Sequence, residues 1–107
     1  LSVKYAVQMF RLYKPDFILN NGIIIEAKGW FKPSDRVKHL LVQEQYPDLD
    51  IRFLFQNAYN KIHKNSKTRY CDWCDKYGFL WTDKEIPKKW LTEKKKKIQL
   101  GVLNKWT

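Results

Sequence analysis

Two short apolar runs on either side of a turn tripeptide constrain this chain more than any other feature. Phe17-Ile18-Leu19 is followed by Asn20-Asn21-Gly22, then by Ile23-Ile24-Ile25. β-Branched and aromatic runs flanking a Gly-bearing turn predict a β-hairpin. A three-residue loop would pair Leu19 with Ile23 and set Asp16 opposite Glu26. A two-residue loop would set Asp16 opposite Ala27, on the wrong face. The three-residue loop is preferred because Gly22 then occupies the position that requires a positive φ.

The hairpin frames a chemical pattern: Pro15-Asp16, nine residues, Glu26, one residue, Lys28. Strand side chains alternate, so Glu26 and Lys28 share a face, while Ile23, Ile25 and Ala27 take the other and are expected to be buried. Directly opposed residues have Cβ atoms roughly 4.5–5.5 Å apart, and two carboxylates at that distance repel unless a cation lies between them. An oxygen-only site of this kind suits Mg²⁺, with Mn²⁺ able to stand in and the Ala27 carbonyl as a further ligand. Such an ion polarises a phosphodiester and acidifies bound water, and Lys28 would orient that water or stabilise charge on the phosphate. The plainer alternative makes Asp16 a turn residue and Glu26 and Lys28 an exposed strand face.

The remaining pattern reads as a single α/β domain over residues 1–107. Val3, Tyr5 and Val7 alternate as a strand. Pro33 opens a helix that Ser34 or Asp35 can cap, with Val37, Leu40 and Leu41 as its buried stripe; Arg36, His39 and Gln43 lie on another face, and Pro47 ends it. Ile51, Phe53 and Phe55 alternate as a strand, completing a crossover unit. A second helix runs from about Thr68 to Tyr77 on Tyr70, Trp73, Cys74 and Tyr77, and stops at Gly78. Phe79 to Trp81 suggests one more short strand, and Pro87 and Trp90 a final packed turn or helix. Cys71 and Cys74 lack a second pair of ligands, so reduced thiols are favoured over zinc.

Charge narrows the partners. Twenty-one Lys and Arg against eleven Asp and Glu leave +10, which attracts polyanions, nucleic acid first. Lys61, Lys64, Lys67 and Arg69 in a polar loop, Arg36 and Lys38 after the hairpin, and Lys14 before it are candidate DNA contacts. Each is equally readable as an ordinary wet surface. Trp30 is a candidate lining of the DNA groove, and His39 reads as a surface or capped histidine. No apolar run approaches a membrane span, and no secretory signal opens the chain, so a cytoplasmic location is expected.

These residues also carry a resemblance. Lys14 to Gly29 resembles the catalytic hairpin of the phage endonuclease I family, the junction-resolving nucleases of the restriction-endonuclease-like fold. The resemblance continues through Ser34 to Leu41, Glu44-Gln45, Pro47 to Arg52, Tyr77-Gly78 and Ile86-Pro87 with Trp90, covering about Tyr13 to Glu93. It implies a mixed central sheet with the catalytic hairpin and flanking helices. It implies that Asp16 and Glu26 hold the metal, that Lys28 completes the site, and that a homodimer cuts branched DNA such as four-way junctions in the host cytoplasm. The family carries a further catalytic Glu on a helix ahead of the first strand, which serves the partner's site. No acidic residue precedes Asp16 here, so either the given sequence starts after that helix or this member lacks it, and residues 94–107 are expected to form a basic tail. A non-cleaving junction-binding module and a site-specific, homing-type nuclease are the alternatives on the same core.

Overall fold

A computed structural model describes residues 13–94. The strand expected at Val3, Tyr5 and Val7 and most of the basic tail lie outside these residues. The element order is β1 (Phe17–Ile18), β2 (Ile24–Lys28), α1 (Pro33–Gln45), β3 (Ile51–Phe55), α2 (Tyr70–Tyr77), β4 (Trp81–Asp83) and α3 (Lys88–Thr92). The strands form one mixed sheet in the order β1-β2-β3-β4, antiparallel between β1 and β2 and parallel thereafter. No helix among the described residues is long and apolar enough to cross a membrane.

The hairpin adopts the three-residue loop. Phe17 pairs with Ile25 and Ile18 with Ile24, and the Leu19 N–H donates to the Ile23 carbonyl at 2.8 Å. Gly22 sits at φ 91°, a conformation that costs any other residue a clash between Cβ and backbone. Continuing the register places Asp16 opposite Glu26.

The sheet divides the apolar residues by parity. Ile24, Ile51, Phe53 and Phe55 face α1 and α2, where Phe31, Val42, Tyr70, Trp73, Cys74 and Phe79 join them in one core. Phe53 lies at its centre, with ring centroids 4.9 Å from His39, 5.1 Å from Phe31 and 5.3 Å from Phe79. On the other face Ile23 and Ile25 pack on Trp90, with Leu19, Leu54 and Ile86 around them. This second cluster is small. It ends before Ala27, which is exposed, contrary to the expected burial.

Two further expectations need correction. The buried face of α1 is His39 and Val42, whereas Val37 is 57% exposed and Leu40 and Leu41 are half-buried. The helix has turned a histidine toward the sheet because Glu26 waits there. The last strand begins at Trp81, two residues later than expected, because Phe79 is drawn into the core, stacked on Trp73 at 5.6 Å. Asp35 supplies the α1 cap, its Oδ2 accepting the Lys32 N–H at 3.1 Å. α2 ends at Gly78 as expected. Cys71 and Cys74 are free and buried, and burial raises both thiol pKa values.

Behind the sheet a polar latch ties three distant segments. Arg52, buried to 3% exposure, binds both oxygens of Asp50 and both of Glu93, and lies over the Trp90 ring at 5.1 Å. Asn21, in the hairpin turn, donates to the Trp90 carbonyl at 2.6 Å and the Glu93 carbonyl at 3.2 Å.

Candidate active site

The hairpin brings Asp16, Glu26 and Lys28 to one face at one edge of the sheet. Asp16 is exposed, and its Oδ2 accepts the Ala27 N–H at 2.8 Å. That bond fixes Asp16 against β2 and turns the peptide between Glu26 and Lys28 into part of the site. Glu26 is buried to 1% exposure. Its Oε2 accepts the Tyr13 hydroxyl at 2.6 Å. Its Oε1 faces His39 Nε2 at 3.6 Å, beyond hydrogen-bond range. Lys28 Nζ lies 3.6 Å from Asp35 Oδ1.

Helix α1 therefore backs β2 residue for residue. His39 meets Glu26 and Asp35 meets Lys28. Four helical residues rise about 6 Å, and two strand residues about 6.6 Å. The match lets one helix face hold two alternate strand residues, with the crossover running the helix antiparallel to the strand.

The electrostatics leave a negative charge in place. Burial pushes the Glu26 pKa up, but the approach of His39, the hydrogen bond from Tyr13 and the charge of Lys28 outweigh it, so the carboxyl titrates below its ordinary value. Burial lowers the His39 pKa more than Glu26 raises it, so the imidazole is neutral at pH 7. Burial, then the Glu26 charge, raise the Tyr13 pKa, so the phenol keeps its proton. Glu26 is thus a buried anion that accepts a hydrogen bond from the neutral Tyr13 phenol, with the neutral His39 imidazole close by but beyond bonding range. Both His39 ring nitrogens are buried without a hydrogen-bond partner. Asp16 adds a second carboxylate across the hairpin. An all-oxygen pair of this kind fits a hard divalent cation. Among the described residues no group of three His, Cys, Asp or Glu side chains gathers into a metal site, so an ion here would draw on two carboxylates, backbone oxygen and water.

The basic candidates spread more widely. Lys61, Lys64, Lys67 and Arg69 are all exposed on the loop between β3 and α2. A backbone bridge between Lys61 and Arg69 closes that loop, and Arg69 is bidentate to Asp72. The loop leaves the sheet at the edge where β2 ends, since the Gln56 N–H donates to the Lys28 carbonyl at 3.0 Å. Lys14 is exposed and Lys38 half-buried. Arg36 donates to the Phe31 carbonyl at 2.8 Å and lies over that ring. Trp30 is 68% exposed, with the Lys32 ammonium 5.3 Å from its ring centre.

Sequence reasoning missed Tyr13 and His39 as partners of Glu26. One signal was present for His39: it stands three residues before the apolar Val42, on the same helix face. Tyr13 had none.

Comparison with known proteins follows the same residues. The family model for phage endonuclease I matches residues 2–107. Endodeoxyribonuclease 1 of Enterobacteria phage T3 is 51% identical over 87 residues, 81% of this chain and 57% of that protein. Endonuclease I of Escherichia phage T7 is 45% identical over 93 residues, 87% of this chain and 62% of that protein. The chain thus spans less than two thirds of the length of either curated relative. With the hairpin, its acidic pair and a match over nearly its whole length, the chain belongs to the phage endonuclease I family.

Proposed function

We propose that this chain is the catalytic part of a Mg²⁺-dependent deoxyribonuclease that cuts branched DNA, four-way junctions foremost, as a homodimer in the infected cell's cytoplasm, and that its sheet is a restriction-endonuclease-like core. The observation that carries the reading is Glu26, a buried carboxylate that titrates below its ordinary value, holds the Tyr13 hydroxyl and is opposed by Asp16. The names of the T3 and T7 relatives support DNA as the substrate. The +10 charge supports a polyanion.

Asp16 and Glu26 would hold the ion, with the Ala27 carbonyl beside them. When bound, a divalent cation polarises the phosphodiester and acidifies water. The Tyr13 hydrogen bond, with His39 packed beside it, keeps the Glu26 carboxylate in one orientation, so its reorganisation need not accompany the reaction. Lys28, steadied by Asp35, presents an ammonium to the charge that grows on the phosphoryl oxygens. Lys61, Lys64, Lys67 and Arg69, with Lys14 and Lys38, contribute phosphate contacts around the site.

The test is cleavage of a labelled four-way junction by the full-length protein with Mg²⁺, compared with a linear duplex of the same sequence. Cutting at the branch, abolished by Glu26→Ala, is expected. Efficient cutting of the linear duplex at one sequence would replace junction selectivity with site specificity. Binding without cutting would leave only a junction-binding module.

A further inference from the structure

A cleft of about 280 Å³ opens where β2 and β3 end, lined by Lys28, Gly29, Phe55, Gln56 and Lys84 among others, with no acidic residue in its wall. Lys84 reaches it from just after β4 in an unusual way. It is the one non-glycine residue among those described with a positive φ, at 72°. The Glu85 N–H donates to the Asp83 carbonyl at 2.9 Å, which makes Lys84 the centre of a three-residue turn of the rarer, strained hand. A side chain with a Cβ is disfavoured there, and glycine would sit freely.

Packing does not explain why a lysine occupies the position. Its side chain is 69% exposed, and its ion pair with Asp83 is loose at 3.7 Å, the kind of surface contact that contributes little. The position is nonetheless well anchored. The Lys84 N–H donates to the Phe55 carbonyl at 2.8 Å, and the ammonium reaches the Gln56 carbonyl at 3.3 Å. Gln56 in turn is bonded to the Lys28 carbonyl at 3.0 Å. Its side-chain oxygen lies so close over Gly29 that a Cβ there would meet it at 3.1 Å. Two strand ends and a strained turn thus set the Lys84 ammonium on the wall of the cleft where β2 and β3 end. Strain of this kind, held by surrounding bonds, marks positions kept for a ligand rather than for the fold.

We propose that this cleft holds a backbone phosphate of the DNA strand being cut, adjacent to the scissile one, with Lys84 as its anchoring cation. Resting on the nuclease reading, the inference adds a substrate-positioning residue on a different element from the catalytic hairpin. A wall that carries the Lys84 ammonium and no acidic residue suits a phosphodiester monoanion, and its openness at the surface suits a continuous strand.

The test measures binding of a labelled four-way junction by the full-length protein in EDTA over a range of salt, with cleavage kinetics in Mg²⁺ alongside. Lys84→Gln should weaken binding about fivefold and reduce the slope of log affinity against log salt by about one. It should raise KM and leave kcat near wild type, whereas Lys84→Arg should keep both affinity and slope. Lys84→Gly should lose the contact as Lys84→Gln does, yet melt at or above the wild-type temperature because the turn is relieved. Unchanged affinity and slope in Lys84→Gln, with the wild type binding and cutting, would overturn this inference alone. So would a Tm several degrees lower in Lys84→Gly, since the side chain would then be serving the fold. A wild-type protein that neither binds nor cuts the junction would overturn the nuclease reading and this inference with it.

Discussion

Tyr13 and His39 decide how Glu26 behaves, and each can be tested alone. Tyr13→Phe removes one donor from the Glu26 carboxylate and leaves the ring in the core. Loss of a hydrogen bond to a ligating carboxylate commonly costs 10–100-fold in metal affinity. Mn²⁺ titration followed by electron paramagnetic resonance should therefore show about tenfold weaker binding, with circular dichroism unchanged. Lys28→Ala should leave Mn²⁺ binding near wild type while reducing turnover at least about 100-fold, a loss typical of removing a charge-stabilising donor. Acid stability follows from the signs of the shifts. His39 in the folded chain titrates below the ordinary histidine value, 6.5, and Glu26 below the ordinary carboxyl value, 4.5. In both windows the unfolded chain binds more protons, so stability falls as pH drops. Tm measured against pH should decline from about pH 6.5 and again below about pH 4.5. His39→Gln should flatten the first decline and leave the second.

The β1–β2 hairpin was legible in the sequence because its evidence is local. Alternation, the Asn-Asn-Gly turn and a single glycine at the strained position fix the register without reference to the rest of the chain. Gly22→Ala should accordingly cost about 1–2 kcal/mol, the penalty of an L side chain in the left-handed region, measured by urea denaturation. Its effect on activity should exceed that of an equally destabilising core substitution, because the turn also aligns Asp16 with Glu26. The face of α1 was not legible in the same way. Hydrophobic spacing points to Val37, Leu40 and Leu41, yet the position facing the sheet is His39, whose fit depends on a carboxylate thirteen residues earlier. Parallel pairing of β3 with β4 is equally non-local: Phe79 enters the core beside Trp73, and only then can Trp81 begin the strand.

For the molecule as a whole, stability rests on the aromatic core on one side of the sheet and on the Arg52 latch on the other. Arg52→Met keeps the length of the side chain but takes the guanidinium away from the carboxylates of Asp50 and Glu93. Both are partly solvated, so the cost should be about 2 kcal/mol rather than the 3–5 kcal/mol of a fully buried broken pair. A chemical-denaturation series would show it, with Mn²⁺ affinity unaffected because the latch lies on the far side of the sheet from Glu26. The latch escaped sequence reasoning because its members, Asn21, Asp50, Arg52, Trp90 and Glu93, are scattered along the chain and share no periodicity.

That mooring sets a floor for any attempt to dissect the protein by shortening it. Chains stopped after Glu93 would still tether the tip of the β1–β2 bend through Asn21, so their lost affinity could be ascribed to the lysines removed. Chains stopped before Trp90 would release that tip as well. Their inactivity would then report a slackened hairpin, and would be mistaken for a role of the terminal segment in the reaction.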